Sequence, residues 1–276
     1  MEELYESSYN KKNHFSFGQN WENYLSHLTD AKIARAKLSL VNFLGGKNKI
    51  KGKSFIDIGC GSGLFSLSAY LLKASKITSV DVDDFSIACT KYLKNKNSNP
   101  KNWAVIKGSA LNPSFINSLG QFDIVYSWGV LHHSGNMYKA FDHVVKLVKI
   151  SGVLYLAIYN DNEKIFEGTS KFWLKVKKIY NQSGILPKKI ILYLYCAYYI
   201  LGLLLQFKNP YLYIKNYQSN RGMNWLNDAI DWLGGYPYEY ASPETIRNYF
   251  NKLGFVCKKV TKARSIACNE YLFVNK

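Results

Sequence analysis

From residue 51 to about residue 160 the chain alternates short apolar runs with amphipathic ones, and the rhythm then stops until residue 242. The apolar runs, Lys53 to Ile58, Lys76 to Asp81, Trp103 to Lys107, the stretch opening at Phe122, and Gly152 to Tyr159, have few polar interruptions. That pattern predicts strands buried on both faces, in a parallel sheet covered by helices. One helix is expected over Leu64 to Leu72. Another is expected over Met137 to Lys149, with Ala140, Phe141, Val144, Val145 and Val148 as its core stripe. Before the first strand a helix from Ala31 to Leu44 is predicted, capped by Asp30 and ended by Gly45-Gly46. Ser242-Pro243-Glu244 opens a last helix that runs to Leu253 and closes at Gly254. Phe255 to Thr261 and Glu270 to Val274 give two further strands. The chain therefore divides into a helical cap (1–50), a core (51–161), an insertion (162–241) and a return to the core (242–276).

The first apolar run carries the most chemistry. It passes through Asp57 into Gly59, Gly61 and Gly63, with Cys60 and Ser62 between them. Glycines at alternate positions let the backbone turn sharply and approach a ligand. The nicotinamide fingerprint fits less well, because it wants a glycine where the chain has Leu64. Asp81 ends the second strand 24 residues after Asp57, where a carboxylate can accept two ribose hydroxyls.

Asp57-x-Gly59-x-Gly61-x-Gly63, Asp81 with Val82, Gly108-Ser109-Ala110, and Tyr126-Ser127-Trp128-Gly129-Val130-Leu131-His132-His133 follow in order, each at a strand's carboxyl end. Together they resemble the motifs of class I S-adenosylmethionine-dependent methyltransferases. With Gly18-Gln19-Asn20-Trp21 and the segment 221–240, the chain resembles bacterial methyltransferases related to the ubiquinone-biosynthesis O-methyltransferases. The resemblance implies a doubly wound, Rossmann-like, seven-stranded α/β sheet with an antiparallel edge hairpin. It also implies S-adenosylmethionine as cofactor, held by Asp57, Gly59, Cys60, Gly61, Gly63, Asp81, Val82, Ser109, Ala110, Ser127 and Trp128, and a small-molecule acceptor. Ser109 stands where the family usually has an acid that contacts the adenine. Asn20 and Trp21 are expected in a lid. For an acceptor hydroxyl, His132 or His133 is the candidate base, since imidazole titrates in the useful range. Asn160, Asp228 and Asp231 are candidates for orienting the acceptor, and Trp225 and Trp232 for walling its pocket.

Composition changes this picture in two places. The formal charge of +17 comes overwhelmingly from scattered Lys, and without an arginine-rich cluster or an appended RNA-binding module, nucleic acid is a disfavoured partner. Five cysteines, an odd number with no C-x-x-C pair, indicate neither zinc nor a disulfide framework and point to a reducing cytoplasm. The acidic opening Met1 to Glu6 lacks a signal-peptide pattern. The second place is the insertion. Ile190 to Phe207 holds no charged residue and would span about 27 Å as a helix, the lower limit for crossing a bilayer. A single crossing would strand residues 242–276 on the wrong side. Two readings remain. The favoured one buries the helix, as a roof on the active site or in a homodimer contact. The other lays it on the inner membrane face, where Lys171, Lys175, Lys177, Lys178, Lys188, Lys189 and Lys208 meet acidic headgroups.

Overall fold

The structure, a computed structural model, describes residues 28–164, 168–217, 224–263 and 266–276. Asn20 and Trp21, with the rest of the expected lid, lie outside these residues. Seven strands form one sheet in the order β3-β2-β1-β4-β5-β7-β6. They are β1 (Ser54–Ile58), β2 (Lys76–Asp81), β3 (Trp103–Lys107), β4 (Phe122–Trp128), β5 (Val148–Tyr159), β6 (Phe255–Thr261) and β7 (Cys268–Asn275). The first five pair in parallel, and β7 runs antiparallel to both β5 and β6.

Strand alternation divides the core into two layers. Ile56, Ile58, Val125, Leu154 and Leu156 face Phe141 of α5 (Met137–Val144) and Phe250 of α10 (Pro243–Lys252). Phe55, Ile124, Tyr126 and Tyr155 face α1 (Asp30–Leu44), through Leu40 and Phe43, and α2 (Leu64–Leu71), through Leu67. The cap of α1 is Thr29 rather than Asp30, because Thr29 is the extended residue whose hydroxyl accepts from Lys32. β5 begins at Val148, four residues before the expected Gly152. Val148 pairs with Phe122, and a register shift follows in which Ser151 takes φ +61°. This earlier start also ends the preceding helix at Val144, with a 3-10 turn to Leu147.

Between β5 and α10 the insertion supplies α6 (Ser170–Gln182), α7 (Ile185–Leu205), α8 (Pro210–Lys215) and α9 (Trp225–Gly234). The expectation that the long apolar helix is buried fails. Only Leu203 is buried along the 21 residues of α7. The neighbouring helices cover one side of it and nothing among the described residues covers the other.

Candidate active site

Gly59, Gly61 and Gly63 all take positive φ, at +78°, +51° and +79°. The chain needs this geometry to leave β1, fold back so that the amides of Gly59 and Cys60 both donate to the Val80 carbonyl, and enter α2. A Cβ on Gly59 would stand 2.4 Å from Val130, and one on Gly63 would stand 2.7 Å from the Thr90 hydroxyl. The space is closed as well as the dihedral. Cys60 is buried with its thiol on Thr90, and burial raises its pKa well above the ordinary value. It acts as packing rather than as a nucleophile.

Two acids flank this loop. Asp81 accepts from the Gly61 amide through Oδ2 (2.9 Å) and from the Asp83 amide through Oδ1 (3.0 Å). Each oxygen keeps a further lone pair for a ligand hydroxyl. Asp57 is buried at the end of β1, and its Oδ2 accepts from Ser66, which accepts from Ser79, which accepts from the Trp103 indole, at 2.7, 2.6 and 2.8 Å. Burial pushes the Asp57 carboxyl up to about 7, with the Asp81 charge adding to the rise and the Ser66 hydrogen bond opposing it. Burial likewise raises Asp81 above the ordinary carboxylate value. Among the described residues neither acid has an ion-pair partner. Two uncompensated carboxylates beside an open glycine turn make an electronegative cleft. That cleft fits a cationic ligand bearing hydroxyls, which is what S-adenosylmethionine presents.

The rest of the expected cofactor set is placed unevenly. Val82 is half-buried after β2, and Asp83 next to it caps the helix α3 (Asp84–Lys96). Ser109 uses its Oγ to accept from the Leu111 amide (3.1 Å), so it holds the turn after β3. The Ala110 carbonyl is tied to His143 at 2.8 Å. Ser127 donates to the Ile58 carbonyl (3.0 Å), joining β4 to β1. Trp128 lies exposed with its indole N–H on Glu270 of β7 (2.7 Å). The Ser127 and Trp128 side chains thus serve the fold.

The two histidines, indistinguishable in sequence, part company in the structure. His132 is fully buried, with its ring 4.1 Å from that of Tyr159 and Nδ1 accepting from the Tyr159 amide at 3.4 Å. Among the described residues Nε2 has no hydrogen-bond partner. Burial, aided by His133 and Lys177, drives its pKa well below the ordinary value, so it is neutral at physiological pH. His133 is half-buried, and its Nδ1 lies 2.6 Å from the Pro237 carbonyl. A carbonyl can only accept, so Nδ1 carries the proton and Nε2 is the basic nitrogen.

The insertion meets this region through aromatic rings. Trp232 and Tyr238 lie 5.6 and 5.0 Å from Tyr159. Asp228 and Asp231 stand near enough to add to the rise in the Tyr159 pKa, although Asp228 also accepts from the Tyr217 hydroxyl. Trp225 turns instead to Tyr199 of α7 (5.8 Å). Asn160 accepts through its Oδ1 from the Asn269 side-chain amide (2.9 Å) and so braces the strand ends. Lys177, expected among the headgroup lysines, is fully buried. Its Nζ lies 3.8 Å over the Trp232 ring, 4.9 Å from Tyr238, and donates to the Trp232 carbonyl. Desolvation drives its pKa well below the ordinary value. The spacing of Ser170, Trp173, Lys177 and Tyr180 puts the lysine on the apolar stripe of α6, which is the signal that its position carried. Tyr159 and the Ser66–Ser79–Trp103 chain had no such signal.

Comparison with known proteins agrees with this geometry. Residues 56–154 match the family model described as a methyltransferase domain. The chain is 30% identical over 134 residues to the mitochondrial ubiquinone biosynthesis O-methyltransferase of Dictyostelium discoideum, covering 45% of this chain and 42% of that protein. It is 24% identical over 126 residues to the ubiquinone biosynthesis O-methyltransferase of Pseudomonas paraeruginosa, covering 46% and 53%. The chain thus spans about half the length of the curated relatives it matches. The crystal structure of magnesium protoporphyrin IX methyltransferase from Synechocystis with bound SAH shares the fold, with a TM-score of 0.53 and 14% identity over 88% of this chain and 83% of that one. With its seven-stranded sheet, its glycine turn and its paired acids, the chain has the class I S-adenosylmethionine-dependent methyltransferase fold, carries a methyltransferase domain over residues 56–154, and is similar over about half its length to ubiquinone-biosynthesis O-methyltransferases.

Proposed function

We propose that the protein transfers a methyl group from S-adenosylmethionine to a hydroxyl oxygen of a small-molecule acceptor. The observation that carries this reading is the pair of uncompensated carboxylates, Asp57 and Asp81, flanking a glycine turn that packs on Val130 of the β4 exit, three residues before the half-buried His133. When bound, the cofactor supplies an electrophilic methyl on a cationic sulfur. Asp81 would hold the ribose hydroxyls, and the positive-φ turn would let the backbone lie close to the rest of the cofactor. Asp57 would balance its positive charge. His133, with its Nδ1 proton on Pro237, would take the acceptor's proton at Nε2, while Tyr159, Trp232 and Tyr238 wall off water. Alignment supplies much of the acceleration in such a transfer. A small-molecule acceptor, such as a sugar, a phosphorylated cell-surface precursor or a lipid-linked phenol, is supported by the relatives' names, which refer to ubiquinone biosynthesis.

Calorimetry with S-adenosylmethionine tests the site. Losing the ribose contact in Asp81→Ala should cost about 2 kcal/mol, or roughly 30-fold in affinity. A variant that binds as tightly as the parent removes Asp81 from the assignment.

A further inference from the structure

From Ile190 onward helix α7 is apolar on every side, and the structure divides its surface in two. One side packs into the insertion. Tyr195 meets Trp173 at 5.6 Å, and Tyr199 meets Trp225 at 5.8 Å and Tyr213 at 6.1 Å. The other side presents Leu186, Ile190, Tyr193, Leu194, Leu201 and Leu205 to solvent, whose positions fall on one helical stripe, with Leu194 65% exposed. Phe207, just past the helix end, is 99% exposed. Seven large apolar side chains more than half exposed on and beside one helix face make a contiguous patch of the kind that marks a protein or membrane interaction site.

Charge identifies what covers it. Between residues 168 and 217 there are eight lysines and no aspartate or glutamate. Apart from the buried Lys177 and half-buried Lys188, they are solvent-facing: Lys171, Lys175 and Lys178 on α6, Lys189 beside the stripe, and Lys208 and Lys215 beyond it. A second copy of this surface would bring lysines against lysines with no acid on the segment to pair them. An anionic bilayer supplies both apolar depth and negative charge. The helix is long and apolar enough to cross a membrane. A single crossing is ruled out because β6 and β7, which follow it, pair with the sheet that precedes it.

We propose that α7 docks flat on an anionic lipid bilayer, with its Leu186-to-Leu205 stripe among the acyl chains and the flanking lysines at the headgroups. From the docked helix a run of touching rings, Tyr195, Trp173, Trp232, Tyr159 and His132, leads to the β4 and β5 ends at 5.6, 5.9, 5.6 and 4.1 Å. Docking therefore links the acceptor side of the site to the membrane-bound helix through four ring contacts, an arrangement suited to a lipid-soluble acceptor. That last consequence rests on the proposed methyl transfer, whereas the docking does not.

Flotation of the whole chain with phosphatidylcholine vesicles, with and without phosphatidylglycerol, tests the docking. Light scattering gives the mass in solution, and S-adenosylmethionine calorimetry reports the integrity of the core. At low salt the protein should float with anionic vesicles at least tenfold more than with neutral ones. Leu194→Glu with Leu201→Glu should abolish flotation, and Lys189→Glu with Lys208→Glu should weaken it and its salt dependence, both with cofactor affinity unchanged. Both pairs lie outside the cofactor site, so failure to bind S-adenosylmethionine by the parent would strike at the methyl transfer and leave the docking result standing. A monodisperse dimer that ignores vesicles and dissociates on Leu194→Glu would overturn the docking in favour of a second copy. A monomer that ignores anionic vesicles would overturn it outright.

Discussion

Replacing Asp57 by Asn probes the electrostatics beneath the glycine turn. The amide is isosteric with the protonated acid, and its oxygen still accepts from Ser66. The wild-type carboxyl titrates near 7 in the folded protein, against 3.8 ordinarily. A folded-state pKa raised above the unfolded value gives stability that is complete below the unfolded pKa and is lost as pH climbs through the folded one. At up to ~1.4 kcal/mol per pH unit, this group alone removes about 3 kcal/mol between pH 4 and pH 7. Asp57→Asn carries no such loss. Urea unfolding of the ligand-free proteins should therefore show the variant gaining about 2–3 kcal/mol on the parent between pH 5 and pH 7, and little more by pH 8. A cation on the turn favours the ionised carboxyl, so wild-type affinity for S-adenosylmethionine should rise about tenfold from pH 6 to pH 8, while the variant's stays flat. A stability difference between the two proteins that does not change from pH 5 to pH 8 would refute the protonated, buried Asp57.

The histidines should separate in kinetics and stability. His133→Gln lowers turnover about a hundredfold with cofactor affinity intact, whereas His132→Ala costs on the order of 2 kcal/mol of stability through the buried space it opens. Equal losses of turnover without loss of stability would contradict the assignment. Lys177 is a buried amine whose folded-state pKa is depressed, so its stability contribution is present at high pH and falls away as the pH drops. Lys177→Met should be as stable as the parent or about 1–3 kcal/mol more stable at pH 7, and that advantage should shrink toward pH 10. A strongly destabilised Met variant at pH 7 would mean that the charged amine holds the insertion together.

The sheet was legible because its strands are buried on both faces, so Phe55-Ile56-Asp57-Ile58 and Leu154 to Ile158 read as apolar runs whatever their neighbours. The cofactor turn was legible because its glycines are required by dihedral and by space. The early start of β5 was not, since Lys149 and Ser151 break the apolar run and only the pairing of Val148 with Phe122 extends it. Helix α7 was legible as a helix but not in its burial. A segment apolar all round carries no periodic sign of which side meets protein, and the answer depends on how much of it α6 and α9 can cover. Charge misled at Lys177, where the helical period and not the side chain's polarity predicted its burial. The histidine pair needed the third dimension, because the Pro237 carbonyl that fixes the His133 tautomer comes from a residue 104 positions away.

Incubating the purified chain with S-adenosylmethionine labelled at the methyl group and a cell extract, then separating small molecules, RNA and protein, tests the central claim most directly. Label should accumulate in the small-molecule fraction as a methyl ether, in step with the demethylated cofactor, and Asp81→Ala and His133→Gln should each suppress it. Label confined to RNA or protein, or a cofactor that is never consumed, would contradict it.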